Sequence, residues 1–218
     1  METPLELINR LSLLAAMPAV FGLLIALGMI LVTRRWQIEV LALVLLYFFV
    51  GLLHSRIIRP EVALVKALIG WLVCLTLYVT GRYLDERSGK RKPGMQEERL
   101  RWLPPLAADT PLRILVLLVV VVIAYLGSVY LPLPQVAAHV GLACYLLAVG
   151  GLLLAGISEE PLRVGIGLLL FLSGFDLFFG ALEPSLVVAG LLGASNFFIA
   201  LAVIFLAVTH AVAQEESA

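Results

Sequence analysis

Hydrophobic positions in this chain gather into long unbroken runs, and polar positions fall almost entirely in the short gaps between them. Seven runs occupy residues 11–33, 38–53, 62–80, 112–131, 136–157, 162–182 and 186–211. A helix needs ~20 predominantly apolar residues to cross the hydrocarbon core, and a helix satisfies its own backbone hydrogen bonds there. Each run therefore predicts a spanning helix. The expected fold class is an all-α integral membrane protein with seven transmembrane helices. Little chain is left for a soluble catalytic domain.

Composition agrees with the pattern. Hydrophobic residues make up 62% of the 218, and mean hydropathy is +1.07; soluble domains are roughly half apolar. Fifteen basic and fifteen acidic residues cancel, so net charge points to no partner. Their placement is more informative. The one extended polar stretch, residues 81–111, carries Arg82, Arg87, Lys90, Arg91, Lys92, Arg99 and Arg101. The positive-inside rule assigns it to the cytoplasm. Arg34–Arg35 and Arg163 then also fall inside, and the turn at residues 130–139, free of Lys and Arg, falls outside. Arg10, Arg56 and Arg59 are the exceptions on the outer side. The reading is N-terminus outside, C-terminus cytoplasmic. Glu2 and Glu6 spoil the basic n-region of a signal peptide, and the first run is long enough to span, so no cleavable signal is expected. Cys74 and Cys144 lie inside spans and read as small buried hydrophobes rather than a disulfide.

Along a single membrane domain, the spans divide into a three-helix unit (11–80), the basic cytoplasmic loop (81–111), a linking helix (112–131) and a second three-helix unit (136–211). Both units start outside and end inside, so they would be parallel repeats. Their middle spans are entered by charged turns, Thr33-Arg34-Arg35-Trp36-Gln37 and Ser158-Glu159-Glu160-Pro161-Leu162-Arg163. Those spans are followed by Arg59-Pro60-Glu61 and Glu183-Pro184-Ser185. Duplication explains the match, as does the ordinary preference of turns for proline. Within the basic loop, residues 96–102 read either as an interfacial helix with Leu100 and Trp102 on its apolar side or as solvated loop. Nothing beyond charge supports nucleic-acid binding.

No metal-ligand cluster, phosphate loop, nucleophile elbow or Cys-x-x-Cys is present. His54, His139 and His210 lie near predicted span ends and read as interfacial residues rather than haem ligands. Ionisable groups inside spans are the exceptions, since each costs about 2.5–3.5 kcal/mol at a helix centre. Asp176 lies about two-thirds of the way into the sixth span and Asn196 ~15 Å into the seventh from its other end, so both lie in the outer half of the spans. Lys66 lies near the outer end of the third span, either snorkelling to the headgroups or reaching Asp176 across a difference in depth that its long side chain covers. Gly165, Gly167, Ser173 and Gly174 would admit a close helix neighbour. Asp176, Asn196 and Lys66 are the candidate intramembrane polar or proton site, with hydrogen-bonded helix glue as the alternative.

The segment Gly156-Ile157-Ser158-Glu159-Glu160-Pro161-Leu162-Arg163-Val164-Gly165-Ile166-Gly167-Leu168-Leu169-Leu170 resembles the K subunit of NADH–quinone oxidoreductase and the C subunit of multisubunit sodium/proton antiporters. Residues 140–208 carry this resemblance. The whole chain is similar to membrane component E of hydrogenase-4 and formate-hydrogenlyase complexes, in which a K-like triplet follows four spans and a lysine lies early in the third, as Lys66 does here. The resemblance implies a multi-pass subunit of the bacterial cytoplasmic (inner) membrane. The family's intramembrane glutamates, however, align with Leu169 and Asn196, which leaves two readings: Asp176 as the substitute carboxylate, or the fold kept only as a scaffold.

The function expected is a non-catalytic integral subunit of an ion-translocating oxidoreductase or antiporter-type complex. It would pack beside antiporter-like membrane subunits and line or enclose a proton or cation path, with no cofactor of its own. A self-contained small transporter is the alternative. Against it, the chain lacks paired Gly/Pro-broken half-helices. A membrane enzyme lacks any catalytic set.

Overall fold

The computed structural model describes residues 4–33, 35–57, 60–88, 106–134, 136–183 and 185–216, and no strand occurs among them. The helices are α1 (Pro4–Val32), α2 (Trp36–Ile57), α3 (Pro60–Ser88), α4 (Leu106–Tyr130), α5 (Ala138–Ile157), α6 (Pro161–Leu182) and α7 (Leu186–Glu216). Six of these, α2 to α7, are long and apolar enough to cross a membrane, and the architecture is that of a multi-pass membrane protein. Helix α1 runs for 29 residues. Its side chains are described only from Pro18, and Pro18–Val32 by itself is a shorter apolar helix.

Proline and short turns set several boundaries. Pro60 opens α3 and Pro161 opens α6, positions where the missing N–H would have no helical partner anyway. The turn from α5 into α6 is closed by the Ser158 N–H donating to the Leu154 carbonyl at 3.2 Å. Two boundaries differ from expectation. The polar stretch expected to form a loop from 81 to 111 is helical at both ends, because α3 continues to Ser88 and α4 starts at Leu106. Gly81 does not stop α3; a Cβ there would lie 2.6 Å from the Trp36 ring, so the missing side chain admits the indole. Trp36 also contacts Tyr78, with ring centroids 5.7 Å apart, which pins the end of α3 to the start of α2. The segment 89–105, including residues 96–102 with their two readings as interfacial helix or solvated loop, lies outside the described residues.

Neighbours in sequence pack side by side as α1–α2–α3 and α5–α6–α7, except that α6–α7 is looser than α5–α6. The two rows then stack, α1 on α5, α2 on α6 and α3 on α7. Helix α4 lies against α1 and α5 at one edge, with only 11% of its spanning window buried, so most of its surface faces outward. The tightest seam joins α5 to α6. A Cβ on Gly167 would sit 2.6 Å from the Ala155 backbone nitrogen, and one on Gly174 2.9 Å from the Cys144 carbonyl. Small residues let helix backbones approach closely in lipid, where the hydrophobic effect does not drive helices together. Cys74 and Cys144 are free thiols buried in this packing. Leu23, Leu27, Leu43, Leu46, Leu147 and Leu170 fill the space between the rows.

Candidate functional site

Along α2, Glu39, Leu43, Leu46, Tyr47, Val50 and His54 recur at spacings of three and four, so they share the buried stripe that faces α6. Polar groups therefore enter the interior at both ends of this stripe. Each end meets charged residues from neighbouring helices, and the two ends form separate clusters.

The first cluster joins three helices. Lys66 on α3 donates to Asp176 Oδ1 on α6 at 2.7 Å and to His54 Nε2 on α2 at 3.2 Å. His54 Nδ1 lies 3.1 Å from the Val50 carbonyl. A proton on Nδ1 serves that carbonyl and leaves the Nε2 lone pair for the lysine, which selects the neutral tautomer carrying hydrogen on Nδ1. His54 Nε2 is 3.7 Å from Asp176 Oδ2, close enough for charge interaction but too long for a hydrogen bond. The side chains of Lys66 and Asp176 are 7% and 10% exposed, and His54 is 1% exposed. Lys66 lies two turns inside α3, and Asp176 lies ~9 Å from the end of α6 at 1.5 Å rise per residue. The cluster is thus inside the spanning region and away from its middle.

A cavity of about 20 Å³ adjoins the cluster, lined also by Tyr47, Ser173 and Asn196. That is room for about one water molecule. The Tyr47 hydroxyl and Asn196 Oδ1 are buried and have no hydrogen-bond partner among the described residues. Ser173 instead donates to the Leu169 carbonyl at 2.7 Å.

Of the three residues predicted from sequence, the structure brings Lys66 and Asp176 into direct contact. Lys66 does not snorkel, because the Asp176 carboxylate offers a nearer partner than the headgroups. Asn196 lines the same cavity without bonding to Asp176. The reading of His54 as an interfacial histidine is corrected. Although it is three residues from the end of α2, its ring points inward and is held by Val50 and Lys66. His139 is half-buried and His210 is exposed. The signal for His54 was its position seven residues after Tyr47 and fifteen after Glu39, one face of one helix.

The second cluster was missed from sequence. Glu39, 2% exposed, forms an ion pair with Arg163, whose Nη2 lies 2.9 Å from Glu39 Oε1. The same Nη2 donates to the Thr33 carbonyl at 2.9 Å, and Arg113 Nη1 donates to the Val32 carbonyl at 3.1 Å. Two arginines thus cap the C-terminal end of α1, where the last carbonyls have no helical partner. In the sequence Arg163 marks topology and a charged turn but shows no partner, and Glu39 sits so near the start of its span that it resembles an interfacial residue.

Fifteen residues separate Glu39 from His54, or ~22 Å along α2, and the Arg163–Asp176 separation on α6 is ~20 Å. Between the clusters, Val40, Leu43 and Leu46 face Ile166, Leu169 and Leu170, all buried. From Glu39 to Tyr47 this apolar layer is ~12 Å deep. The position of the expected family glutamate, Leu169, is part of it. Chemically, the first cluster is a neutral ammonium–carboxylate–imidazole set. A further proton on His54 or Asp176 would leave the set with a net positive charge.

Comparisons with protein-family models, with curated proteins and with solved structures matched none of them.

Proposed function

We propose that this chain is a non-catalytic integral subunit of an ion-translocating membrane complex of the oxidoreductase or antiporter type, and that His54, Lys66 and Asp176 form a proton-exchange site within it. The observation that carries this reading is the buried three-helix contact of Lys66 with Asp176 and His54. Ionisable groups at membrane depth are costly and typically mark ion or proton pathways. An aspartate–lysine pair alone could be static glue. A histidine whose Nε2 lone pair accepts from the same lysine adds a second group beside Asp176 that can carry a proton.

The ~12 Å apolar layer favours a subunit over a self-contained transporter, because it interrupts a path through the α2–α6 seam. In this reading protons enter the cluster from the nearer face and leave sideways, through α3 or α7, to an antiporter-like neighbour. The charge distribution supports N-terminus outside and C-terminus in the cytoplasm of a bacterial inner membrane, which puts the cluster in the outer half. Stacking of α1 on α5, α2 on α6 and α3 on α7 supports two parallel three-helix repeats joined by α4. The resemblance of residues 156–170 to K-type subunits supports the same assignment.

Mild-detergent purification of the tagged protein from its own membrane, with blue-native electrophoresis, tests the assembly. Proton uptake by inverted vesicles tests the site. The complex should contain antiporter-like membrane subunits, and Asp176→Asn should abolish proton translocation while leaving the complex at its original size. A monodisperse protein that transports a solute alone in liposomes would establish the transporter instead.

A further inference from the structure

At the end of the bundle opposite the Lys66 cluster, α1, α4, α5 and α6 enclose a second cavity of about 340 Å³, within the size range of small-molecule sites. Its polar lining is mixed in sign: Arg113 and Arg163 against Glu159 and Glu160. The order of these groups along the helix axes is regular. Glu159 and Glu160 lie in the exposed turn beyond α5. Arg163 is three residues further, and the half-buried guanidiniums of Arg113 and Arg163 lie against the Val32 and Thr33 carbonyls. Val116, Leu153 and Leu154 then line the wall about one turn deeper, ~5 Å toward the membrane centre.

From mouth to floor the cavity thus offers anionic, cationic and aliphatic surfaces. A phosphatidylethanolamine molecule presents the complementary sequence, with ammonium outermost, phosphate next and acyl chain innermost. We propose that this cavity is a binding site for the zwitterionic headgroup of phosphatidylethanolamine, with the phosphate at Arg113 and Arg163 and the ammonium at Glu159 and Glu160. Basic pockets between membrane helices are known headgroup sites. Here Glu159 and Glu160 line the same cavity as Arg113 and Arg163, and the buried Glu39 also pairs with Arg163. A wholly anionic headgroup would meet repulsion at the mouth that a zwitterion avoids. Glu160 occupies the N-cap position of α6 but makes no side-chain capping bond, so its carboxylate is not committed to its own helix. The inference does not depend on the proton-exchange reading.

Native mass spectrometry of the purified full chain, delipidated and titrated with lipid, tests it. Phosphatidylethanolamine should be retained as one copy, about tenfold more tightly than phosphatidylglycerol. The exposed pair Glu159→Gln/Glu160→Gln should fold and should reverse that preference, because the arginines would then favour the anionic lipid. Arg113→Gln should weaken both lipids, with unchanged gel-filtration behaviour serving as the folding control. Free phosphoethanolamine should compete poorly, since it lacks the acyl chain that the aliphatic wall contacts; equal competition would mean a soluble phosphate compound is the ligand and overturn the lipid assignment. Equal retention of the two lipids, or a preference that the glutamine pair leaves unmoved, would overturn the site.

Discussion

Removing one charge of the Lys66–Asp176 pair should be far more damaging than removing both. At the observed 2.7 Å separation the gross attraction is about 6 kcal/mol at an effective dielectric of 20, before desolvation is subtracted. Desolvation of two buried ions offsets most or all of that gain, so a pair replaced by apolar groups of similar size is often neutral or stabilising. Lys66→Met leaves a carboxylate buried without its cation, and Asp176→Leu leaves an ammonium with only His54 as acceptor. Each single change should destabilise by about 3–5 kcal/mol, whereas the double variant should fall within about 1 kcal/mol of the natural protein or above it. The histidine refines the expectation. In Lys66→Met, a proton on His54 can restore a cation 3.7 Å from Asp176, so the loss should shrink on acidification and return when His54→Asn is added. Thermal and denaturant unfolding of the purified variants in one detergent, assembled as a double-mutant cycle, measures the coupling. Additive single effects, or a double variant worse than either single, would refute the reasoning.

Three further outcomes are expected. Gly167→Ala should cost about 1–3 kcal/mol in unfolding assays, since the neighbouring Ala155 backbone cannot yield as a flexible side chain can, while Gly190→Ala, with nothing within 4 Å of its Cβ, should be neutral or gain up to about 1 kcal/mol of helix propensity. Arg163→Met should destabilise by about 3–5 kcal/mol by stranding Glu39, and Glu39→Gln should cost clearly less because Arg163, the less buried partner, keeps the Thr33 carbonyl as acceptor; equal losses would count against a buried ion pair there. Tyr47→Phe should cost about 1 kcal/mol if its hydroxyl meets water in the cavity beside Asn196, and a gain in stability would mean that the cavity is dry.

The helices were legible in the sequence because each apolar run meets the length set by the bilayer, and Pro60 and Pro161 mark starts that the structure keeps. Asp176 was legible for the opposite reason: a carboxyl group in an apolar run has no cheap explanation. What failed was the treatment of residues near span ends. Glu39 and His54 both lie within two turns of a helix terminus, where sequence alone offers water as an easier partner; Lys66, equally near an end, was legible through its reach to Asp176. Only the packing of α2 between α3 and α6 shows that these side chains turn inward. The helical ends of the basic stretch escaped notice because charge, rather than helix-breaking residues, defined its limits. Gly81 lies within α3, where its small size admits the Trp36 ring.

The central claim, that Asp176 exchanges protons rather than merely holding helices together, is tested most directly by infrared difference spectroscopy. The complex would be studied in its own membrane, at rest and under an imposed proton gradient, with isotope-labelled aspartate and the Asp176→Asn variant as reference. The account predicts a carboxylic-acid C=O stretching band that appears with the gradient, shifts with the label and is missing from the variant. If the two proteins give the same spectrum in every condition, Asp176 keeps one protonation state and the cluster is structural.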